Sequence, residues 1–91
     1  MTTNLRQLFL EHVGQTSDNP MMLEVERAEG VYLYGPDGRR WIDLISGVSV
    51  SAVGHGNRRV IDAICVQARD YLHLMVYGEA VESPQVRYAE R

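Results

Sequence analysis

Reactive side chains are few in this sequence, and their types limit the chemistry it can carry. Three histidines, His12, His55 and His73, could ligate a metal, but their spacing matches no zinc pattern and the single cysteine, Cys65, has no partner cysteine. They read as structural or surface residues, and no metal site is expected. Gly47-Val48-Ser49-Val50-Ser51 has part of a nucleophile elbow, without its final glycine and followed by more loop instead of a helix. Gly54-His55-Gly56 opens a predicted helix, whose N-terminus favours anions, but the third glycine of a dinucleotide fingerprint is missing. Arg58 and Arg59 in that first turn oppose the helix dipole and read as a solvated basic turn, with contact to a phosphate or a partner's carboxylate as the alternative. Tyr77, beside Gly78 in a predicted loop, stands where functional side chains concentrate, and reads equally as a packed anchor of that loop.

All nine positive charges are arginines, and the 91 residues contain no lysine. That excludes a lysine Schiff base within the chain, and with it a self-sufficient pyridoxal phosphate enzyme. Twelve acidic residues leave a net charge of -3, against a partner gripped by phosphate neutralisation such as a nucleic acid. A lone cysteine cannot form a disulfide scaffold within one chain. No apolar run approaches the ~20 residues of a membrane span. The start has no basic stretch followed by an apolar core, so a cytoplasmic, reduced location is expected.

These residues need elements to position them. Leu5, Leu8, Phe9 and Val13 form one stripe of a short helix capped by Asn4 and ended by Gly14. Alternation from Leu23 to Ala28, then Val31 to Tyr34, then Arg40 to Ile45 predicts an antiparallel three-stranded meander. Its turns are Glu29-Gly30 and Gly35-Pro36-Asp37-Gly38. Tyr32, Tyr34 and Trp41 are expected to pack a sheet face. The small residues from Ser46 to Gly56 have no helical period and allow another backbone or a ligand to approach closely. Asn57 is expected to cap a helix carrying Val60, Ile61, Ile64, Ala68, Tyr71 and Leu72, with Arg58 and Asp62 paired on the other side. After a loop from His73 to Glu82, Ser83 and Pro84 serve as cap and first position of a helix that reads as cut short. A length of 91 residues allows a single modest core, yet both terminal helices carry apolar stripes with no evident cover.

The ordered set is more specific than its parts. Glu26-Arg27-Ala28-Glu29-Gly30-Val31-Tyr32-Leu33-Tyr34, Asp37-Gly38-Arg39-Arg40-Trp41-Ile42-Asp43, Ser46-Gly47, Gly54-His55, Tyr77-Gly78-Glu79 and Ser83-Pro84-Gln85-Val86 follow one another. The block resembles the N-terminal segment of class III pyridoxal phosphate-dependent aminotransferases, the acetylornithine, ornithine and 4-aminobutyrate group. It departs at Arg58, where that family has proline. The resemblance implies an α/β enzyme of fold type I, acting as a homodimer, that moves an amino group from a donor to a keto acid or aldehyde. The coenzyme's lysine, the aspartate facing its ring nitrogen and its phosphate cup lie downstream in the family. Residues 1–56 would then belong to the small domain, and residues 57–91 would lead towards the large one.

The resemblance also implies that Ser46, Gly47 and Val48 line the substrate entrance, with Tyr77 near the active site. The position of Val48 is tyrosine in ornithine users, so valine implies a different side-chain preference. His55 is expected to shape the turn by capping or a buried hydrogen bond. Two alternatives stay open: a non-catalytic truncated paralogue acting as a docking or dimerisation module, and a small hydrolase using Ser49.

Overall fold

A computed structural model describes residues 4–91, which form two compact units divided between Asn57 and Arg58. In the first unit, helix α1 (Leu5–His12) starts at Asn4, whose Oδ1 accepts from the Gln7 backbone N–H at 3.3 Å. It ends at Val13, one residue before the expected glycine stop. Three strands follow, β1 (Arg27–Glu29), β2 (Tyr32–Tyr34) and β3 (Arg40–Ile42), in the order β1-β2-β3 with antiparallel pairing throughout. The meander expected from alternation is therefore present, with shorter strands. Leu23 to Val25 lies outside the ladder, which the Glu26 N–H enters by donating to the Tyr34 carbonyl at 2.8 Å. β3 stops at Ile42, although the Asp43 N–H still reaches the Val31 carbonyl at 2.7 Å.

Register sorts the side chains. Ala28, Leu33 and Trp41 sit opposite one another in one row, and alternation puts their neighbours on the other face. On that face the Arg27 guanidinium lies 3.8 Å from the Tyr34 ring centroid and that of Arg40 lies 4.5 Å from Tyr32. The two tyrosine rings are 6.2 Å apart. Stacked guanidiniums cover the tyrosines where a second layer would otherwise sit. Beneath the Gly35-Pro36-Asp37-Gly38 turn, Gly35 is buried, because a Cβ there would stand 3.1 Å from the Trp41 ring and 3.2 Å from the Glu24 carbonyl oxygen.

The second unit holds two helices, α3 (Arg58–Asp70) and α4 (Ser83–Glu90), joined by an irregular loop. α3 begins directly after Asn57, without the proline that the family carries there. Arg58 and Asp62 pair at 3.8 Å as expected, both well exposed. α4 begins one residue earlier than expected: Glu82 takes the cap position, Ser83 is helical and Pro84 follows inside the first turn. Pro84 with Ala63, Ile64, Gln67, Ala68, Tyr71 and Leu72 lines an open apolar groove.

A length that allows a modest core does not supply one here. Among the described residues no hydrophobic side chain is buried, and of the elements only the strands pack on one another. The apolar stripes of the helices are largely exposed. None of the helices is long and apolar enough to cross a membrane.

Candidate functional site

The carboxylate of Asp43 organises the segment of the first unit that follows the sheet. It stands just past the end of β3, where the chain leaves the ladder. One oxygen, Oδ1, accepts from the backbone N–H groups of Ile45 and Ser46, at 3.1 and 2.9 Å. This is the local closure that aspartate offers a backbone leaving a strand. The other oxygen, Oδ2, lies 2.6 Å from His55 Nε2, across twelve residues of sequence. The Asp43 side chain is 11% exposed and that of His55 23%, so the pair is shielded. The bond from His55, helped by those from Ser46 and Ile45, holds the Asp43 carboxyl below its ordinary value of 3.8.

His55 is itself fixed by its backbone. Its N–H donates to the Gly30 carbonyl and the Gly30 N–H donates to its carbonyl, both at 2.8 Å. The loop is thereby laid on the β1–β2 turn. Gly54 permits the approach: its φ is +81°, and a Cβ there would meet the Gly30 carbonyl oxygen at 3.2 Å. The close backbone approach expected of the small residues thus occurs here, with the sheet as the partner.

Between Asp43 and His55 the chain makes one turn, α2 (Ser46–Ser49), of the opposite hand to an ordinary helix. Ser46, Gly47, Val48 and Ser49 have φ values of 54°, 62°, 64° and 65°. The Ser49 N–H donates to Ile45 and the Val50 N–H to Ser46, at 3.1 and 2.7 Å. Where a loop without regular structure was expected, a hydrogen-bonded left-handed turn stands. Only glycine adopts that region freely, and for a β-branched residue such as Val48 it is a true outlier. Such strain persists only where the surroundings over-determine the backbone, and it clusters at working sites.

Of the four residues singled out from the sequence, Ser46, Gly47 and Val48 are brought together in this turn, with Val48 81% exposed at its surface. Tyr77 lies in the other unit, in the loop between α3 and α4, 72% exposed. Sequence reading missed Asp43 as an organiser. Its only local signal was an aspartate directly after the strand and three before a serine, a turn signature. Its partner at position 55 has no periodic relation to it. Among the described residues, no group of three or more His, Cys, Asp or Glu side chains is placed to hold a metal ion.

Residues 13–90 match the family described as aminotransferase class-III. An uncharacterized aminotransferase of Schizosaccharomyces pombe is 48% identical over 65 residues, covering 69% of this chain and 14% of that protein. The acetylornithine aminotransferase of Archaeoglobus fulgidus is 30% identical over 81 residues, 89% of this chain and 21% of that protein. Among solved structures, the taurine:2-oxoglutarate aminotransferase of Bifidobacterium kashiwanohense, in complex with PLP and glutamate, superposes with a TM-score of 0.77 at 31% identity. It covers 94% of this chain, which spans 19% of it. An omega transaminase of Pseudomonas jessenii, in complex with PMP, shares the fold with a TM-score of 0.83 over 97% of this chain and 21% of its own, at 23% identity. The chain therefore spans about a fifth of the length of these proteins, or less.

Proposed function

The chain belongs to the class-III aminotransferases, and from that premise we propose that it works within a whole enzyme that transfers an amino group from an amino donor to a keto acid or aldehyde. The observation that carries this reading is the family match across residues 13–90. The B. kashiwanohense enzyme binds PLP and shares both fold and nearly a third of the aligned residues, which supports pyridoxal phosphate as the coenzyme of the whole enzyme.

The residues present do not fit the coenzyme by themselves. Its covalent anchor is a lysine amine, and every cation in this chain is an arginine. No chemical step is therefore assigned to these 91 residues. Their part is to shape the approach to the site: the exposed turn of Ser46, Gly47 and Val48 supplies a substrate-facing edge, with Tyr77 a second lining residue. Residues 1–56 belong on this reading to the small domain and residues 57–91 lead towards the large one. The enzyme acts as a homodimer in the cytoplasm, and the uncovered apolar side chains of α1, α3 and α4 are the faces that the rest of the assembly covers.

The test is to express the gene's whole product, load it with pyridoxal phosphate and screen amino acids and ω-amino compounds against 2-oxoglutarate and pyruvate. Appearance of the new amino acid supports the reading. A loaded protein that transfers nothing across the screen counts against it. The alternative reading, a non-catalytic module that docks on another aminotransferase subunit, shares this lysine-free segment. It requires that the native product have a mass near 10.3 kDa and co-purify with such a subunit.

A further inference from the structure

We propose that Asp43 is a positioning residue, whose carboxylate pins the left-handed turn Ser46–Ser49 to the sheet through His55 and so fixes where Val48 stands. The turn cannot hold itself. Four consecutive residues occupy a backbone region that disfavours three of them, and Val48, 81% exposed and β-branched, is the worst suited. Its own hydrogen bonds close the coil but do not choose its place relative to β3 or to the β1–β2 turn.

Asp43 makes that choice. Through Oδ1 it holds the N–H groups of Ile45 and Ser46, the two residues that enter the turn. Through Oδ2 it holds the side chain of His55, beyond the turn's exit, and His55 is tied to Gly30 by two backbone bonds. One carboxylate thus clamps both ends of the turn to one piece of sheet. Both oxygens are in use, so removing the group releases entrance and exit together. This inference rests on the aminotransferase reading only for its consequence, the placing of Val48 against substrate; the clamp itself is a property of the geometry.

The experiment uses the whole protein and compares wild type with Asp43→Asn and Asp43→Ala. Asparagine keeps an amide oxygen for the two backbone N–H groups and turns an N–H towards His55, which accepts it by changing tautomer. Alanine keeps neither. Hydrogen exchange over residues 45–51 is read by mass spectrometry. Exchange is expected to run about tenfold faster in Asp43→Ala, the scale of losing hydrogen bonds of ordinary net strength, and within about threefold of wild type in Asp43→Asn. Equal protection in all three proteins overturns the proposal. So does Asp43→Asn exchanging as fast as Asp43→Ala. If the alanine variant fails to fold, His55→Ala replaces it, with faster exchange over 45–51 expected and an unchanged rate overturning the clamp.

Kinetics read the consequence. With the amino donor that the wild type uses, Asp43→Ala should raise KM about tenfold while kcat stays within about threefold, and Asp43→Asn should restore KM. A fall in kcat at constant KM overturns the positioning role. A wild type that transfers no amino group sinks the aminotransferase reading, while the exchange data still decide the clamp.

Discussion

Residues 1–91 made alone, free of any other polypeptide, should not unfold cooperatively as a monomer. The argument starts from surface. The chain exposes 8511 Å², about 3,100 Å² more than a self-contained folded monomer of 10.3 kDa is expected to expose. If a little over half of that excess is apolar, about 1,800 Å² of greasy surface lacks cover. At ~25 cal/mol per Å², the missing stabilisation is about 45 kcal/mol, several times the ~5–15 kcal/mol by which domains are stable at all. Even half that figure exceeds the margin. Scanning calorimetry, with sedimentation to fix the mass, is the assay. The expected result is no heat-absorption peak for the monomer, dye binding typical of exposed apolar surface, or association that rises with concentration. A sharp monomeric transition with an enthalpy of about 60 kcal/mol, normal for this length, would refute the reasoning.

Three further outcomes can be checked in the whole protein. Gly54→Ala should destabilise by about 2–3 kcal/mol in urea denaturation, since alanine resists the positive φ and its Cβ would crowd the Gly30 oxygen at 3.2 Å, weakening the bridge to His55. Val48→Gly should stabilise by about 0.5–1 kcal/mol, as relief of the left-handed strain at φ 64° exceeds the added freedom of glycine in the unfolded chain. The third concerns acid. Because the carboxyl of Asp43 is held below 3.8 in the folded chain, its contribution is complete above that value and is lost as the pH falls through the lower, folded one. Protection factors over residues 45–51 should therefore lose the share that Asp43 contributes only below pH 3.8, and a loss of that share between pH 5 and 8 would contradict the assignment.

Local signals carried the elements, and distant ones carried the site. The strands of residues 27–42 were legible because alternation and the Gly35-Pro36-Asp37-Gly38 turn are short-range features of backbone geometry. Their shortness was not legible. The run Leu23–Val25 alternates as well as any strand, but has no partner in register, and pairing is decided by the neighbour. The cap of α4 was misplaced by one residue because Ser83 and Glu82 both can stand at a helix start and proline tolerates either of the first two positions. Residues 46–48 were found as a group through family likeness, not through their conformation. Nothing in Ser-Gly-Val-Ser announces a left-handed turn, since three of its four residues disfavour one. The carboxylate that stabilises it faces a histidine twelve positions away. Strained sites of this kind are set by a contact, and a contact between distant residues leaves no period to read.

The three-residue strands have a consequence for the time before the protein is whole. If the gene product is as long as the enzymes it matches, roughly 300 residues remain to be made after Arg91, which takes on the order of 15–60 s at ordinary rates of synthesis. Throughout that interval the first unit waits with uncovered apolar side chains beside two open sheet edges. Fibril-forming segments run to six or seven uninterrupted residues without proline or crowding charge. Here each edge strand is half that length, begins with an arginine and adjoins a glycine turn, and Pro36 interrupts the longer run. The brevity that makes the sheet a poor core also makes it a poor template, so a nascent chain can hold this surface open without seeding its neighbours on the same ribosome-crowded message.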